Sequence, residues 1–131
     1  MLPPLSALAP LLGATLVGAD APVRRVAIDS RRINPGDLFF ALSGRHADGH
    51  RFVDAALDAG AAAVVVRPGT PGRSPRLEVP SPLAALQALA AWHRGRFGRV
   101  IAVTGSNGKT IVKDALVALL SGRFQIGRAH V

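Results

Sequence analysis

The 131-residue sequence has no cysteine and no tyrosine, one tryptophan, one methionine, and eight acidic residues against sixteen basic ones. Without cysteine there are no disulfides, thiolate nucleophiles, iron–sulfur clusters or thiolate-bound zinc, and a secreted disulfide scaffold is excluded with them. A cytoplasmic protein is therefore expected. Without tyrosine, and with five phenylalanines that do not interleave with arginine, the chain lacks the stacking strip of a nucleic-acid binder, so no nucleic-acid partner is expected. Long apolar runs are missing too. Stretches such as Ala61 to Val66 fall far short of the roughly 18–20 residues that cross a bilayer, and no membrane span is expected. The apolar first residues have no basic leader and are broken by Pro3, Pro4 and Pro10, which argues against a signal peptide. Of the four histidines, no two have a metal-binding spacing.

What is present suits a chain that buries a core: 49% hydrophobic and 18% charged residues. The length allows one domain, or one plus the start of another. A net charge of +8 and a pI near 11.7 suit small polyanionic substrates, since the arginines are scattered from Arg24 to Arg128 without a basic run. The only two lysines, Lys109 and Lys113, share one segment, as though a compact ammonium were wanted there.

The pattern along the chain predicts an α/β fold. Leu5 to Leu16 permits a short helix ending near Gly13 or Gly18. Val23 to Ile28 and Leu38 to Leu42 read as strands around the turn Asn34-Pro35-Gly36-Asp37. His50 to Ala59 has helical spacing, and Ala62 to Val66 is the β-branched run of a strand buried on both faces. Arg67 to Pro75 predicts an exposed loop and Leu77 to Val79 a short strand. Ser81-Pro82 is a helix start, with an apolar period through Leu83, Leu86, Leu89 and Trp92 to about Arg96, and Trp92 is assigned to the core. A domain boundary is placed near Pro80. Val100 to Val103 then reads as a second buried strand, and Thr110 to Leu120 as a helix with Val112, Ala115, Leu116 and Leu119 on one face.

Between that strand and that helix stands Thr104-Gly105-Ser106-Asn107-Gly108-Lys109-Thr110. Glycines let successive N–H groups curl toward phosphate oxygens, and the helix N-terminus adds its positive dipole end. Lys109 would neutralise the β- and γ-phosphates of ATP, and the Thr110 hydroxyl would bind Mg²⁺. Against the general pattern G-x-x-x-x-G-K-[ST], the first glycine position is Val103 here.

This loop resembles the ATP loop of the Mur ligase family, in which the shortened glycine pattern is usual. Three upstream elements support the resemblance in order: Asp29-Ser30-Arg31, Pro35-Gly36-Asp37-Leu38-Phe39-Phe40-Ala41-Leu42, and Asp48-Gly49-His50-Arg51-Phe52 followed by Gly60-Ala61. Together they span about residues 23 to 120. Within the family, the Thr-Gly-Ser start and Val112-Lys113 look most like the members that add D-alanyl-D-alanine. The members that add the third amino acid of the peptide, and a stand-alone nucleotide-binding module without catalysis, are the alternatives. Ile111 departs from the threonine common at that position, and a similar run occurs in ligases fused to a racemase, so a fusion stays open.

The resemblance implies ATP-dependent amide formation. The terminal carboxylate of a UDP-N-acetylmuramoyl-tripeptide is phosphorylated, and the D-alanyl-D-alanine amine attacks the acyl phosphate in peptidoglycan precursor synthesis. It implies residues 1–80 as a UDP-substrate domain, with Ser30, Arg45, His46, Ala47, Asp48 and Gly49 near the diphosphate, and residues 81–125 as the start of the ATP-binding domain. Asp29 with Arg31 also suits a local turn and surface pair, Asp48 a helix cap, His46 a cap and His50 a solvent-facing side chain. A monomer is expected. So is a fragment, inactive alone, because the family's later Mg²⁺ ligands and modified lysine are not in this sequence. Ile126-Gly127-Arg128-Ala129-His130-Val131 does not continue the family pattern and reads as one frame of a common sequencing-adapter oligonucleotide, so 126–131 is expected to be a non-native tail.

Overall fold

The structure, a computed structural model, describes residues 1–127. Most of the expected tail, residues 128–131, lies outside the described residues. The chain divides into two compact units, Met1–Arg96 and Phe97–Val131.

The first unit is a five-stranded sheet with helices on both faces. In chain order its elements are α1 (Leu5–Leu12), β1 (Thr15–Val17), β2 (Arg25–Ala27), β3 (Asp37–Phe40), α2 (Val53–Asp58), β4 (Ala63–Val66), β5 (Arg76–Glu78) and α3 (Pro82–Gly95). Two 3-10 turns, Ser30–Arg32 and Gly49–Phe52, stand between them. The strand order is β1-β5-β4-β3-β2; β2 to β5 run parallel and β1 closes the edge antiparallel. The sequence pattern missed β1, because three residues flanked by Gly13 and Gly18 are too few to show a period.

Alternation along the central strands builds two cores. Leu38 and Phe40 of β3 and Ala63 and Val65 of β4 face α1 and α3, where Leu5, Leu8, Ala85 and Leu89 complete the layer. Phe39, Ala41, Val64 and Val66 face the other way onto Val53 and Ala56 of α2. Every residue of β4 is buried, as its continuous β-branched run predicts for a strand covered on both sides, and every residue of β3 beside it is buried too. Each fully buried valine or leucine stabilises by roughly 1.5–3 kcal/mol relative to exposure.

Asp37 is the exception within this apolar sheet. Its carboxylate is almost fully buried at the start of β3, where Arg25 of β2 donates from Nε at 3.1 Å and Nη2 at 2.7 Å, and the Asn34 N–H donates at 2.9 Å. These donors, the Arg25 guanidinium foremost, hold its carboxyl below the usual aspartate range against the opposing effect of burial. The loop after β4 is likewise tied down: the Arg73 N–H donates to Asp54 at 2.8 Å, and Arg76 donates to the Thr70 carbonyl at 2.7 Å.

The Ser81 hydroxyl accepts from the Ala84 N–H at 3.2 Å with Pro82 in the first turn, as the sequence predicts for the start of α3. Because Ala85, Leu89 and Trp92 of α3 pack into the first core, the compact unit ends after Arg96, whereas the composition shift suggested a boundary near Pro80.

The second unit holds the glycine loop and α4 (Lys109–Leu120). Its expected strand does not form: residues 100–103 have no ladder, and Val100 and Ile101 are 54% and 61% exposed. The physical reason is pairing. A parallel strand is defined by hydrogen bonds to neighbours, and among the described residues of this unit there is no second strand. The helix matches expectation, starting one residue earlier at Lys109, but it buries no residue.

Candidate functional site

Two places in the fold carry the sequence-predicted site residues, one in each unit. In the second unit, Gly105 at φ +146° and Gly108 at φ +78° turn the backbone through conformations that other residues rarely adopt. Gly108 is the N-cap of α4, no side chain caps the helix, and its first turn holds no acidic residue. A glycine N-cap offers the first-turn N–H groups no side-chain acceptor, and a helix N-terminus of this kind suits an anion, with the dipole aligned. Lys109 and Thr110 occupy the first two helical positions, both exposed, on the same terminus. Thr104, Ser106 and Asn107 are exposed in the loop that leads in.

In the first unit, parallel pairing of β2 with β3 sends the segments after both strands out of the same carboxyl end of the sheet, where open α/β sheets bind ligands. From β2 the chain enters the Ser30–Arg32 turn. Asp29 caps it, accepting from the Arg31 N–H at 3.0 Å and from the Arg31 guanidinium at 3.0 Å through each carboxylate oxygen. The Arg31 side chain and its N–H together lower the Asp29 carboxyl to about 2. Asp29 and Arg31 are therefore a turn and a surface pair, and Ser30 is presented half-buried between them. A concavity of about 600 Å³ lies alongside, lined by Val26, Ile28, Asp29, Arg31 and Asn34.

From β3 the chain makes a tight hairpin. Ser43 bridges Asp48, the Gly44 N–H donates to the Ala47 carbonyl at 2.8 Å, and Arg45 and His46 stand exposed at the tip. Asp48 and Gly49 build this hairpin. The Gly49 N–H donates to the Leu42 carbonyl at 2.9 Å, and a Cβ there would come within 2.8 Å of the Leu42 nitrogen, so only glycine fits. Asp48 Oδ1 accepts from the Ser43 hydroxyl at 3.2 Å and the His50 N–H at 3.1 Å and meets His50 Nδ1 at 2.7 Å. The N–H and ring of His50 lower the Asp48 carboxyl below the usual range.

Two histidine expectations need correction. His46 caps no helix, because Asp48 takes that place. His50 does not face solvent: its side chain is 9% exposed, folded back on Asp48 and Arg67. The pattern Asp-Gly-His carried the signal, since an aspartate two residues before a donor favours this turn. Among the described residues there is no group of three or more His, Cys, Asp or Glu able to hold a metal, and no helix is long and apolar enough to cross a membrane.

A sequence profile of the Mur ligase family, catalytic domain, matches residues 22–94, which take in β2 to α3 but not the glycine loop. The UDP-N-acetylmuramoyl-tripeptide–D-alanyl-D-alanine ligase of Escherichia coli (strain K12) is 42% identical over 118 residues, 89% of this chain and 26% of that protein. The UDP-N-acetylmuramoyl-L-alanyl-D-glutamate–2,6-diaminopimelate ligase of Syntrophomonas wolfei is 43% identical over 106 residues, 77% of this chain and 22% of that protein. Among solved structures, MurF from Acinetobacter baumannii superposes with a TM-score of 0.72 at 30% identity, covering 93% of this chain and 28% of that one. MurF ligase from Thermotoga maritima in complex with ADP gives 0.60 at 38% identity, over 77% of this chain and 24% of that one. The chain spans about a quarter of the length of these curated relatives. With the glycine loop on a helix that has no side-chain cap, the mostly parallel sheet with helices on both faces and these likenesses in hand, the chain belongs to the Mur ligase family.

Proposed function

We propose that this chain is the N-terminal part of an ATP-dependent ligase that joins D-alanyl-D-alanine to UDP-N-acetylmuramoyl-tripeptide in the cytoplasm, as a monomer. The observation that carries the reading is the glycine loop Thr104–Gly108 running into the uncapped start of α4 with Lys109 and Thr110 in its first turn. The backbone N–H groups there would hold the ATP phosphates. The Lys109 ammonium would offset charge that builds on the γ-phosphoryl oxygens during transfer. Mg²⁺ would meet the Thr110 hydroxyl and phosphate oxygens, a hard donor set that suits it. When bound, ATP supplies the phosphoryl group that activates the tripeptide carboxylate for attack by the amine.

In the first unit, Ser30 and the hairpin residues Arg45, His46 and Ala47 would take the uridine diphosphate end, with guanidinium, hydroxyl and backbone N–H groups as diphosphate partners. Asp48 and Gly49 would act by shaping that hairpin. The choice of D-alanyl-D-alanine rests on relatives of that name from Escherichia coli and on the Acinetobacter baumannii and Thermotoga maritima structures. A second reading, addition of diaminopimelate to the dipeptide precursor, is favoured by the 43% identity to the Syntrophomonas wolfei ligase.

A hybrid in which this chain replaces the matching quarter of the Escherichia coli relative tests both. Phosphate release dependent on UDP-N-acetylmuramoyl-tripeptide and D-alanyl-D-alanine is expected, with Lys109→Ala lowering kcat by roughly 10²-fold or more. Undiminished turnover in Lys109→Ala would overturn the phosphate-loop assignment. Direct titration of the 131-residue chain with the dipeptide and tripeptide precursors then ranks the two substrate readings.

A further inference from the structure

His50 lies outside the residues assigned to either nucleotide, yet it joins three segments at the carboxyl end of the sheet. Its ring is 9% exposed. Nδ1 lies 2.7 Å from Asp48 Oδ1, and Nε2 accepts from the Arg67 backbone N–H at 3.3 Å. Both contacts are satisfied together by one form of the ring: Nδ1 carries the proton for the carboxylate and Nε2 keeps its lone pair for the amide. The same Asp48 oxygen accepts from Ser43, so the ring links the hairpin after β3 to the first residue after β4. Without the ring, the hairpin keeps the Ser43–Asp48 bridge, the Gly44 and Gly49 backbone bonds and the Ser43 hydroxyl and His50 N–H bonds to Asp48 Oδ1, but loses its tie to Arg67 and the shortest bond to that carboxylate.

We propose that His50 is a positioning residue for the nucleotide substrate: its neutral ring, bonded to Asp48 on one side and to the Arg67 amide on the other, fixes the hairpin that presents Arg45, His46 and Ala47. This rests on the substrate reading above. A ligand that meets exposed tip residues gains from having them ordered beforehand, because the ordering cost is then not charged against binding. The Asp48 link matters more than the Arg67 link, because it acts on the hairpin itself.

The test is calorimetric titration of UDP into the 131-residue chain and into His50→Ala, His50→Asn and His50→Gln, each first shown to melt cooperatively. Asparagine can place a donor where Nδ1 stands, whereas glutamine reaches toward the Nε2 position. The expected order of affinity is wild type, then His50→Asn, then His50→Gln together with His50→Ala. The last two should be weaker than wild type by roughly tenfold, the scale of one hydrogen bond to a charged group. If His50→Ala does not fold, the asparagine–glutamine difference decides. Equal UDP affinity across the folded variants overturns the positioning role, whereas absence of UDP binding by the wild type overturns the substrate reading itself. Nitrogen NMR of the imidazole supplies a readout free of ligand. A proton on Nδ1 is expected, and one on Nε2 instead would overturn the proposal.

Discussion

Two four-residue runs of similar composition meet different fates. Ala63–Val66 forms β4 with every side chain at 0% exposure, while residues 100–103 form no strand and leave Val100 and Ile101 more than half exposed. β4 has β3 on one side and β5 on the other, with helices over both faces; among the described residues of its own unit the second run has no strand to pair with. The helices differ in the same way: six-residue α2 buries Val53 and Ala56, whereas twelve-residue α4 buries none. Local pattern proposes an element, but the ladder and the covering layer decide whether it becomes one.

The comparison breaks most visibly if a core residue of the first unit is removed. Phe40 is fully buried between β3 and the α1–α3 layer, so Phe40→Ala loses its transfer energy and leaves a cavity. A loss of about 3–5 kcal/mol in denaturant unfolding is expected. A change below about 1 kcal/mol would mean that the two-sided core is not formed in solution.

A smaller effect with a distinctive pH signature is expected at Arg25. Arg25→Ala strips the buried Asp37 carboxylate of its bidentate partner, leaving the Asn34 N–H. Because the folded pKa of Asp37 is depressed, its ionised form contributes stability above the unfolded value of about 3.9, and that contribution is lost as pH falls through the lower folded value. The difference in melting temperature between wild type and Arg25→Ala should therefore be fully present near pH 7 and shrink below about pH 4. A difference that is constant with pH would show that Arg25 acts through packing of its stem rather than through its charge.

These two residues also mark what could be read in advance. Phe40 was legible in part: the run Leu38 to Leu42 announces a strand, but its burial on both faces shows only once helices cover the sheet. The helix starts at Ser81-Pro82 and after Gly108 were legible because caps and glycines act within one turn. The Arg25–Asp37 pair was not, since its partners are twelve positions apart and meet only through the β2–β3 register. His50 was misread for the same reason: its partner across the fold is the amide of Arg67, seventeen positions on, and nothing local shows that contact. For the glycine loop, residue types sufficed to place the glycine turns and the helix start at Lys109. In the hairpin after β3, Asp48 and Gly49 could be singled out from sequence, but their part in building it needed the backbone.

The smallest effect is expected in α4, and it sharpens the comparison most. Leu119 is 80% exposed, so Leu119→Ala removes methyl groups that already face solvent and should change stability by no more than about 0.5 kcal/mol. Trp92, packed against the first core beneath the Arg96 guanidinium at 5.0 Å, reports unfolding of the first unit, while helical circular dichroism also registers α4. In the 131-residue chain the two signals should therefore part, with part of the helical signal lost before the tryptophan transition, because twelve residues with no buried side chain are marginal as a helix in water. Coincident transitions, together with a Leu119→Ala cost above about 1 kcal/mol, would mean that the apolar face of α4 is covered in solution. If sedimentation then showed association increasing with concentration, the cover would be a second copy of the chain, and the contrast between the two runs would reflect pairing between molecules rather than within one.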